Sequence, residues 1–393
     1  MQLYKDICPW KLGGGRISVV NDNDHLGLVM SGLNEEEKNV DKNIKECRKS
    51  LFGLLGPALS YKCKLSPLAQ LHLWTVYSLP VLRSGLSALP VRPAVMKTVT
   101  IFHNKILRGF LKLSRSSPVP ALYFLMGELP VEARLHIDLL TLFHNVPSNP
   151  DTKLVEVMKY ILMMSDDKST TWSVHVRLLS KLYGLPDPLK LVQCSPMSKN
   201  EWKTLVVTKV TAHHERYLRE KAEQNSSMQY LNVQLSGLTG RPHPALLNIS
   251  ETRQALRFRS HIQMLSGDFA SSQLIGKHQN SDQNCQLCPC DLESTQHILT
   301  ECLATSNVRE RLLPELLNLV ASVHPTNALL DPNVSKHTLT QFILDPTSFN
   351  LSNRFRINVQ DIRLSEIFTL SRDWCHAIAS SRNKQLKARK HTS

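Results

Sequence analysis

Residues 284–302 read Asn284-Cys285-Gln286-Leu287-Cys288-Pro289-Cys290-Asp291-Leu292-Glu293-Ser294-Thr295-Gln296-His297-Ile298-Leu299-Thr300-Glu301-Cys302. Cys285 and Cys288 are two residues apart, His297 follows after eight more and Cys302 after a further four, giving C-x2-C-x8-H-x4-C. This spacing suits zinc, which takes four thiolate or imidazole ligands in a tetrahedron. The Cys-x-x-Cys turn offers two from one tight loop, and the His and the last Cys come from the next element. Four protein ligands leave no position for a catalytic water, so the expected cofactor is one structural zinc ion on Cys285, Cys288, His297 and Cys302. His297 and Cys302 are five apart, and both reach one ion only if a short helix turns or frays between them. Cys290 can replace Cys288 in a shifted register, and the bland alternative is cysteine as core packing or as a redox pair.

Around this stretch the composition is that of an ordinary folded protein, 42% hydrophobic and 20% charged over 393 residues, long enough for two or three units with their own cores. The charge is less ordinary. Forty-seven Lys and Arg against thirty-three Asp and Glu leave a net +14, a surplus that favours a polyanionic partner. Nine cysteines, an odd number with four of them between Cys285 and Cys302, do not resemble a disulfide framework and imply a reducing compartment. The first thirty residues contain no apolar run of signal-peptide length and no apolar stretch has membrane-spanning length, so the expectation is a soluble intracellular protein, nuclear or cytoplasmic, with no membrane partner.

The pattern elsewhere is mainly helical. Ile17 to Val20, a polar turn over Asn21 to Asp24, and Leu26 to Met30 read as a short β-hairpin. From Asn34 onward Val40, Ile44, Cys47, Leu51 and Leu55 recur at helical spacing, and Ser66-Pro67 caps a second helix carrying Leu68, Leu71 and Trp74. A third helix, about 94–112, has Val95, Val99, Phe102, Ile106 and Phe110 as its stripe and Lys97, His103, Lys105, Arg108 and Lys112 on its other faces, a candidate phosphate-tracking surface. Ser198 and Glu201 form a capping box for a helix whose apolar stripe reads Trp202, Val206, Val210, His213 and Tyr217. Asn225 to Ile249, with its glycines and prolines, reads as a linker or long loop. A basic helix with Arg253, Arg257 and Arg259 leads into the cysteine cluster, with Phe258 available to stack on a base unless it is core. After the cluster Asn307 caps a Leu-rich helix to Val320. The last helix runs from Val359 to about Ser380 with Leu364, Ile367, Trp374 and Ile378 inward, ahead of a frayed basic tail.

In this order the elements resemble the carboxyl-terminal part of a non-LTR (LINE-type) retrotransposon reverse transcriptase. Asp24-His25-Leu26-Gly27-Leu28 is similar to the leucine-glycine strand that follows the palm active site in that family. Leu79-Pro80-Val81-Leu82-Arg83-Ser84-Gly85 and Leu125-Met126-Gly127-Glu128-Leu129-Pro130-Val131-Glu132 are similar to the thumb and the helical region after it. The helix Arg253 to Ile262 followed by the four zinc ligands resembles the terminal CCHC knuckle, so the likeness covers about 17–390. The resemblance implies a remnant palm edge (1–33), a helical thumb-like region (34–224), a linker (225–250) and a zinc-knuckle-containing helical domain (251–393).

The resemblance also implies a nucleic-acid-binding remnant of a reverse transcriptase, with RNA or single-stranded DNA as partner and Lys97, Lys105, Arg108, Lys112, Arg253, Arg257 and Arg259 as contacts. It is expected not to be an enzyme. Polymerases hold two magnesium ions on clustered palm carboxylates, and no aromatic-x-Asp-Asp occurs here; Met164-Ser165-Asp166-Asp167 is the nearest imitation and lacks the aromatic. Neither Gly-x-Ser-x-Gly nor His-Glu-x-x-His is present, so esterase and zincin sites are also missing. The reading from a different class is a zinc-stabilised helical interaction protein, or a retroelement fragment without nucleic-acid activity.

Overall fold

The computed structural model describes residues 11–12, 15–16, 20–56, 65–148, 153–164, 171–193, 197–234, 237–238, 240–247, 249, 252–279, 282–288, 292–323, 334–351 and 362–392. These are mainly helical, with two small antiparallel strand pairs at the start: β1 (Lys11–Leu12) with β2 (Gly15–Arg16), and β3 (Asp22–His25) with β4 (Leu28–Ser31). Helices follow as α1 (Glu35–Leu55), α2 (Pro67–Leu73), α3 (Leu79–Arg83), α4 (Pro93–Leu111), α5 (Val119–Met126), α6 (Val131–His144), α7 (Lys153–Met164) and α8 (Trp172–Tyr183). Then come α9 (Pro188–Gln193), α10 (Lys199–Glu223), α11 (Thr252–Leu265), α12 (Ser272–Gln279), α13 (Ser306–Val323), α14 (Lys336–Leu344) and α15 (Ile362–Thr392). The chain forms two compact units, each discontinuous in sequence: Met1–Ser50, Tyr77–Val99 and Leu135–Val206 make the first, and Leu51–Val76, Thr100–Arg134 and Val207–Ser393 the second.

In the first unit the hairpin exists but its turn is displaced from the expected Asn21 to Asp24. Asp22 to His25 are strand, paired Asp22↔Ser31 through His25↔Leu28, and the turn is Leu26-Gly27. Both turn residues have positive φ, 50° and 85°, as a two-residue hairpin turn demands, and Gly27 adopts its angle without a Cβ to clash. The expected first run falls on Ile17 to Val19, outside the described residues, and exposed Val20. Asn39 of α1 closes the free edge of β4: its amide accepts from Val29 N and donates to Val29 O, both at 2.8 Å, as a neighbouring strand would. Further along, Arg83 ties α3 to α6 through two hydrogen bonds to Asp138, 2.9 and 3.0 Å, and the Trp202 indole donates to Leu140 O at 2.9 Å.

Local signals hold where they depend on near neighbours. Ser66 Oγ accepts from Ala69 N at 3.2 Å, and Ser198 and Glu201 exchange backbone-to-side-chain bonds of 3.0 and 3.3 Å in a capping box. The stripe of α10 departs from its expected course. His214 and Leu218 are buried instead of His213 and Tyr217, the latter 51% exposed. Four-residue steps continue through Trp202, Val206, Val210, His214, Leu218 and Ala222, and since each step overshoots a full turn by about 40°, the buried line winds around the helix. His103, expected on the basic face of α4, is wholly buried, stacked on Trp74 at 5.8 Å and 17°.

The second unit is organised around α15, which packs on α11 and α13. Leu364, Ile367, Trp374 and Ile378 are buried as their spacing predicts, and so are Ile262 and Leu265 of α11 and Leu316 and Val320 of α13. The helix does not stop near Ser380 with a frayed tail; it continues to Thr392 because residues beyond 380 find partners at the cysteine cluster. Asn307 is likewise not a cap, because α13 already begins at Ser306 after a 3-10 turn over Leu303–Thr305. Within 225–250 the described backbone contains two short 3-10 turns and an isolated antiparallel bridge between Gly237 and Arg241, and Met228, Tyr230, Leu231, Ala245 and Leu246 are buried. His243 at its centre donates through Nε2 to Asp345 at 3.1 Å, with both residues fully enclosed, while its own N–H bonds Leu125 O of α5 at 2.9 Å. Asp345 also accepts from Asn232 N and from Thr347 N and Oγ1.

Candidate metal centre

The cluster sits on a loop followed by one tight helical turn. Asp282 Oδ1 accepts from Asn284 N at 2.9 Å to start the Cys-x-x-Cys turn, and Ser294 Oγ accepts from His297 N at 3.1 Å to start the next element. That element, His297–Glu301, is π-helical, and Cys302 N donates back to His297 O at 2.8 Å. In a regular α-helix residues five apart point about 140° away from each other. The wider i→i+5 turn brings them back onto one side, which answers how His297 and Cys302 can share an ion.

The four ligand atoms of Cys285, Cys288, His297 and Cys302 all lie within 4.8 Å of one another and can hold one metal ion. Cys285 Sγ to Cys302 Sγ and Cys302 Sγ to Cys288 Sγ are both 3.9 Å, and Cys288 Sγ to His297 Nε2 is 3.4 Å. A tetrahedral ion bonded at about 2.3 Å to sulfur and about 2.0 Å to nitrogen requires S···S near 3.8 Å and S···N near 3.5 Å. The donor set therefore fits a closed four-ligand site with Cys288 as the second thiol; Cys290 lies outside the described residues.

The surroundings orient these ligands. His297 points Nε2 at Cys288 while Nδ1 lies 3.7 Å from Glu301, an ion-pair distance that favours the proton on Nδ1 and leaves Nε2 for the ion. Burial lowers the His297 pKa and so favours the neutral, ligating imidazole; it pushes the Cys302 thiol up to about 12 and raises Cys285. Arg309 donates to Cys302 O at 2.6 Å and to Thr305 Oγ1 at 2.8 Å, holding the end of the turn. Glu293, 1% exposed, receives two bonds from Arg382 of α15 at 2.8 and 2.7 Å, and its Oε1 lies 3.9 Å from Cys285 Sγ. Of these supporting residues only Glu301 left a trace in the sequence, four positions after His297; Arg382 is brought in from 89 residues away.

The expected basic residues part company. Lys97 and Lys105 are exposed on α4, in the first and second units respectively. Arg108 donates to Ser117 Oγ and O at 3.0 and 2.9 Å. Arg108 and Lys112, at the end of α4, and Arg259 of α11 line one cleft of about 280 Å³, across which Gln263 donates to Lys112 O at 3.2 Å. A second cavity of about 540 Å³ shares Ser114, Arg259 and Gln263 with it and extends to His376 and Asn383 of α15. Arg257 is ion-paired with Asp373 at 2.6 Å, the Arg253 side chain lies outside the described residues, and Phe258, 2% exposed, is core and unavailable to a base. Asp166 and Asp167 also lie outside the described residues, and no described helix is long and apolar enough to cross a membrane. Comparison of the chain with family models, with curated proteins and with solved structures gives no match.

Proposed function

We propose that this chain is a zinc-stabilised nucleic-acid-binding protein without polymerase activity, as its resemblance to the carboxyl-terminal part of LINE-type reverse transcriptases implies. Zinc is the ion that three thiolates and one imidazole in a closed tetrahedron favour, and its role is structural because the protein supplies all four ligands. The observation that carries the nucleic-acid reading is the convergence of Arg108 and Lys112 with Arg259, about 150 residues later in sequence, on one cleft of a chain with net +14. Phosphates of RNA or single-stranded DNA fit this lining better than base edges do, so binding is nearly indifferent to sequence. Affinity for a labelled single-stranded oligonucleotide should fall steeply between about 50 and 200 mM salt. Absence of binding at low salt overturns the reading.

A second reading, a helical interaction protein, is favoured by one feature. On α7 Leu154, Val157, Ile161 and Met164 recur at three- and four-residue spacing on an exposed face, with Leu178 and Leu182 of α8 also exposed. Loss of oligonucleotide binding on substitution of the cleft residues keeps the first reading ahead.

A further inference from the structure

One stripe of the last helix grips the metal loop. Arg382, Gln385, Leu386 and Arg389 of α15 follow one another at three, one and three residues and so share a face. Arg382 holds the buried carboxylate of Glu293, in the segment between Cys288 and His297, at 2.8 and 2.7 Å. Gln385 donates to Ala304 O at 2.7 Å, two residues beyond Cys302. Leu386 packs on the small cluster of Cys285, Leu287 and Cys302. Arg389 donates to Gln286 O and Leu287 O, the carbonyls of the two residues between the first pair of cysteines, the latter at 3.2 Å. The Cys-x-x-Cys turn, the segment ahead of His297 and the residues around Cys302 are thus all touched by the same eight-residue span of helix. On the other side of that span Lys384 and Lys387 are exposed.

The apolar cluster around the cysteines is small. It consists of Cys285, Leu287 and Cys302, two of which are ligands, with Cys288, Ala304 and Leu386 packed against it. A segment with so small a core takes its conformation from the ion, and binding free energy becomes folding free energy. The acceptors for Arg389 and Gln385 are backbone carbonyls of that loop, so they are in place only when the loop is ordered.

We infer that metal binding and docking of residues 382–392 are one linked equilibrium: the ion orders the loop that receives the helix end, and its loss releases a basic segment from the second unit. This inference rests on the metal reading above. Linkage is reciprocal, so the factor by which the ion favours the docked helix equals the factor by which docking tightens the ion.

The test needs no activity. Hydrogen exchange of the whole chain, before and after stripping with a chelator, should show faster exchange across 382–392 after stripping, with 364–378 changed far less. Competition with a chromophoric chelator should show zinc bound roughly tenfold or more weakly by Arg389→Ala combined with Leu386→Ala, within the range usual for coupled sites. Lys384→Ala with Lys387→Ala, on the other side of the same turns, should leave the affinity unchanged. Arg389→Ala alone, which leaves the apolar cluster intact, serves if the double variant does not fold. Unaltered exchange at 382–392 on stripping, or unaltered zinc affinity in the Arg389 variants, overturns the linkage and leaves the metal site standing. A purified chain that takes up no zinc overturns both.

Discussion

Cys302 donates its backbone N–H to the carbonyl of His297 at 2.8 Å, closing a π-helical turn that places a thiol and an imidazole on the same side of one short segment. That single hydrogen bond converts a five-residue spacing, unfavourable in an α-helix, into half of a tetrahedral ligand set. Its partner half comes from the Cys285-x-x-Cys288 loop, and the S···S and S···N separations of 3.9 and 3.4 Å match one ion between them.

Removing a ligand should therefore remove the ion. Cys285→Ser and His297→Ala are each expected to lower the zinc content from about one per chain to near zero and to destabilise the second unit by several kcal/mol. Elemental analysis alongside urea unfolding checks both; full zinc content in either variant refutes the assignment.

Glu301 acts through His297. Its carboxylate lies 3.7 Å from Nδ1 and also accepts from Gln296 at 2.8 Å. Glu301→Gln, which keeps the shape and removes the charge, should weaken zinc binding by about 10- to 100-fold without changing stoichiometry. Chelator competition on folded protein reads this directly, and an unchanged affinity would mean Glu301 is only a solvated side chain.

The buried pair His243 and Asp345 pins the loop regions of the second unit together. Asp345 faces four donors, His243 Nε2, Asn232 N, Thr347 N and Thr347 Oγ1. Burial raises its pKa, but the attraction of His243 and these hydrogen bonds more than offset that, and the net direction is down from 3.8. A depressed folded-state pKa stabilises the protein above the ordinary carboxylate range, and the contribution fades as pH falls through the folded value. Asp345→Asn turns an amide donor towards other donors and should cost about 3–5 kcal/mol in denaturant unfolding at pH 7. A change below 1 kcal/mol would show that the network relaxes around the amide.

His103 is the opposite case. Both ring nitrogens are buried without a hydrogen-bond partner among the described residues, and burial lowers its pKa to about 3. Below the ordinary imidazole value of about 6.5 the unfolded chain binds a proton that the folded chain does not, so stability falls with falling pH, by about 1.4 kcal/mol per unit. His103→Leu should lie within about 1 kcal/mol of wild type at pH 7 and become progressively the more stable of the two towards pH 4. Parallel pH profiles of the two proteins would contradict this.

Arg257 and Arg259, two positions apart on α11 and differently engaged, should separate in binding assays. Arg259 lines the basic cleft, whereas Arg257 is ion-paired with Asp373 at 2.6 Å. Arg259→Ala should weaken oligonucleotide binding and reduce the salt slope by roughly one unit. Arg257→Ala should leave affinity within about twofold and cost at most about 1 kcal/mol of stability, since its pair is partly exposed. Equal losses of binding for the two would remove the cleft from the account.

The sequence alone determined what depends on neighbours within a turn or two. Helical spacing identified the inward face of α15 through Leu364, Ile367, Trp374 and Ile378, and cap chemistry identified Ser66 and the Ser198–Glu201 box. Cys/His spacing picked out Cys285, Cys288, His297 and Cys302, whose ligand atoms the fold does bring together, because a four-ligand ion restricts residue type and separation so tightly. Only the tertiary structure decided the rest. The hairpin turn moved to Leu26-Gly27, where backbone angles and the amide of Asn39 fix the pairing, although the apolar runs pointed elsewhere. His103 and Phe258 read as available and are core, since a side chain's burial depends on what packs over it. The basic end of α15 read as frayed because a terminal segment stays ordered only when something ties it down, and what ties it down is remote in sequence. Arg382 and Arg389 find their partners at Glu293 and the cysteine loop, about a hundred residues away, and it is those long-range bonds that keep the helix ordered to its end.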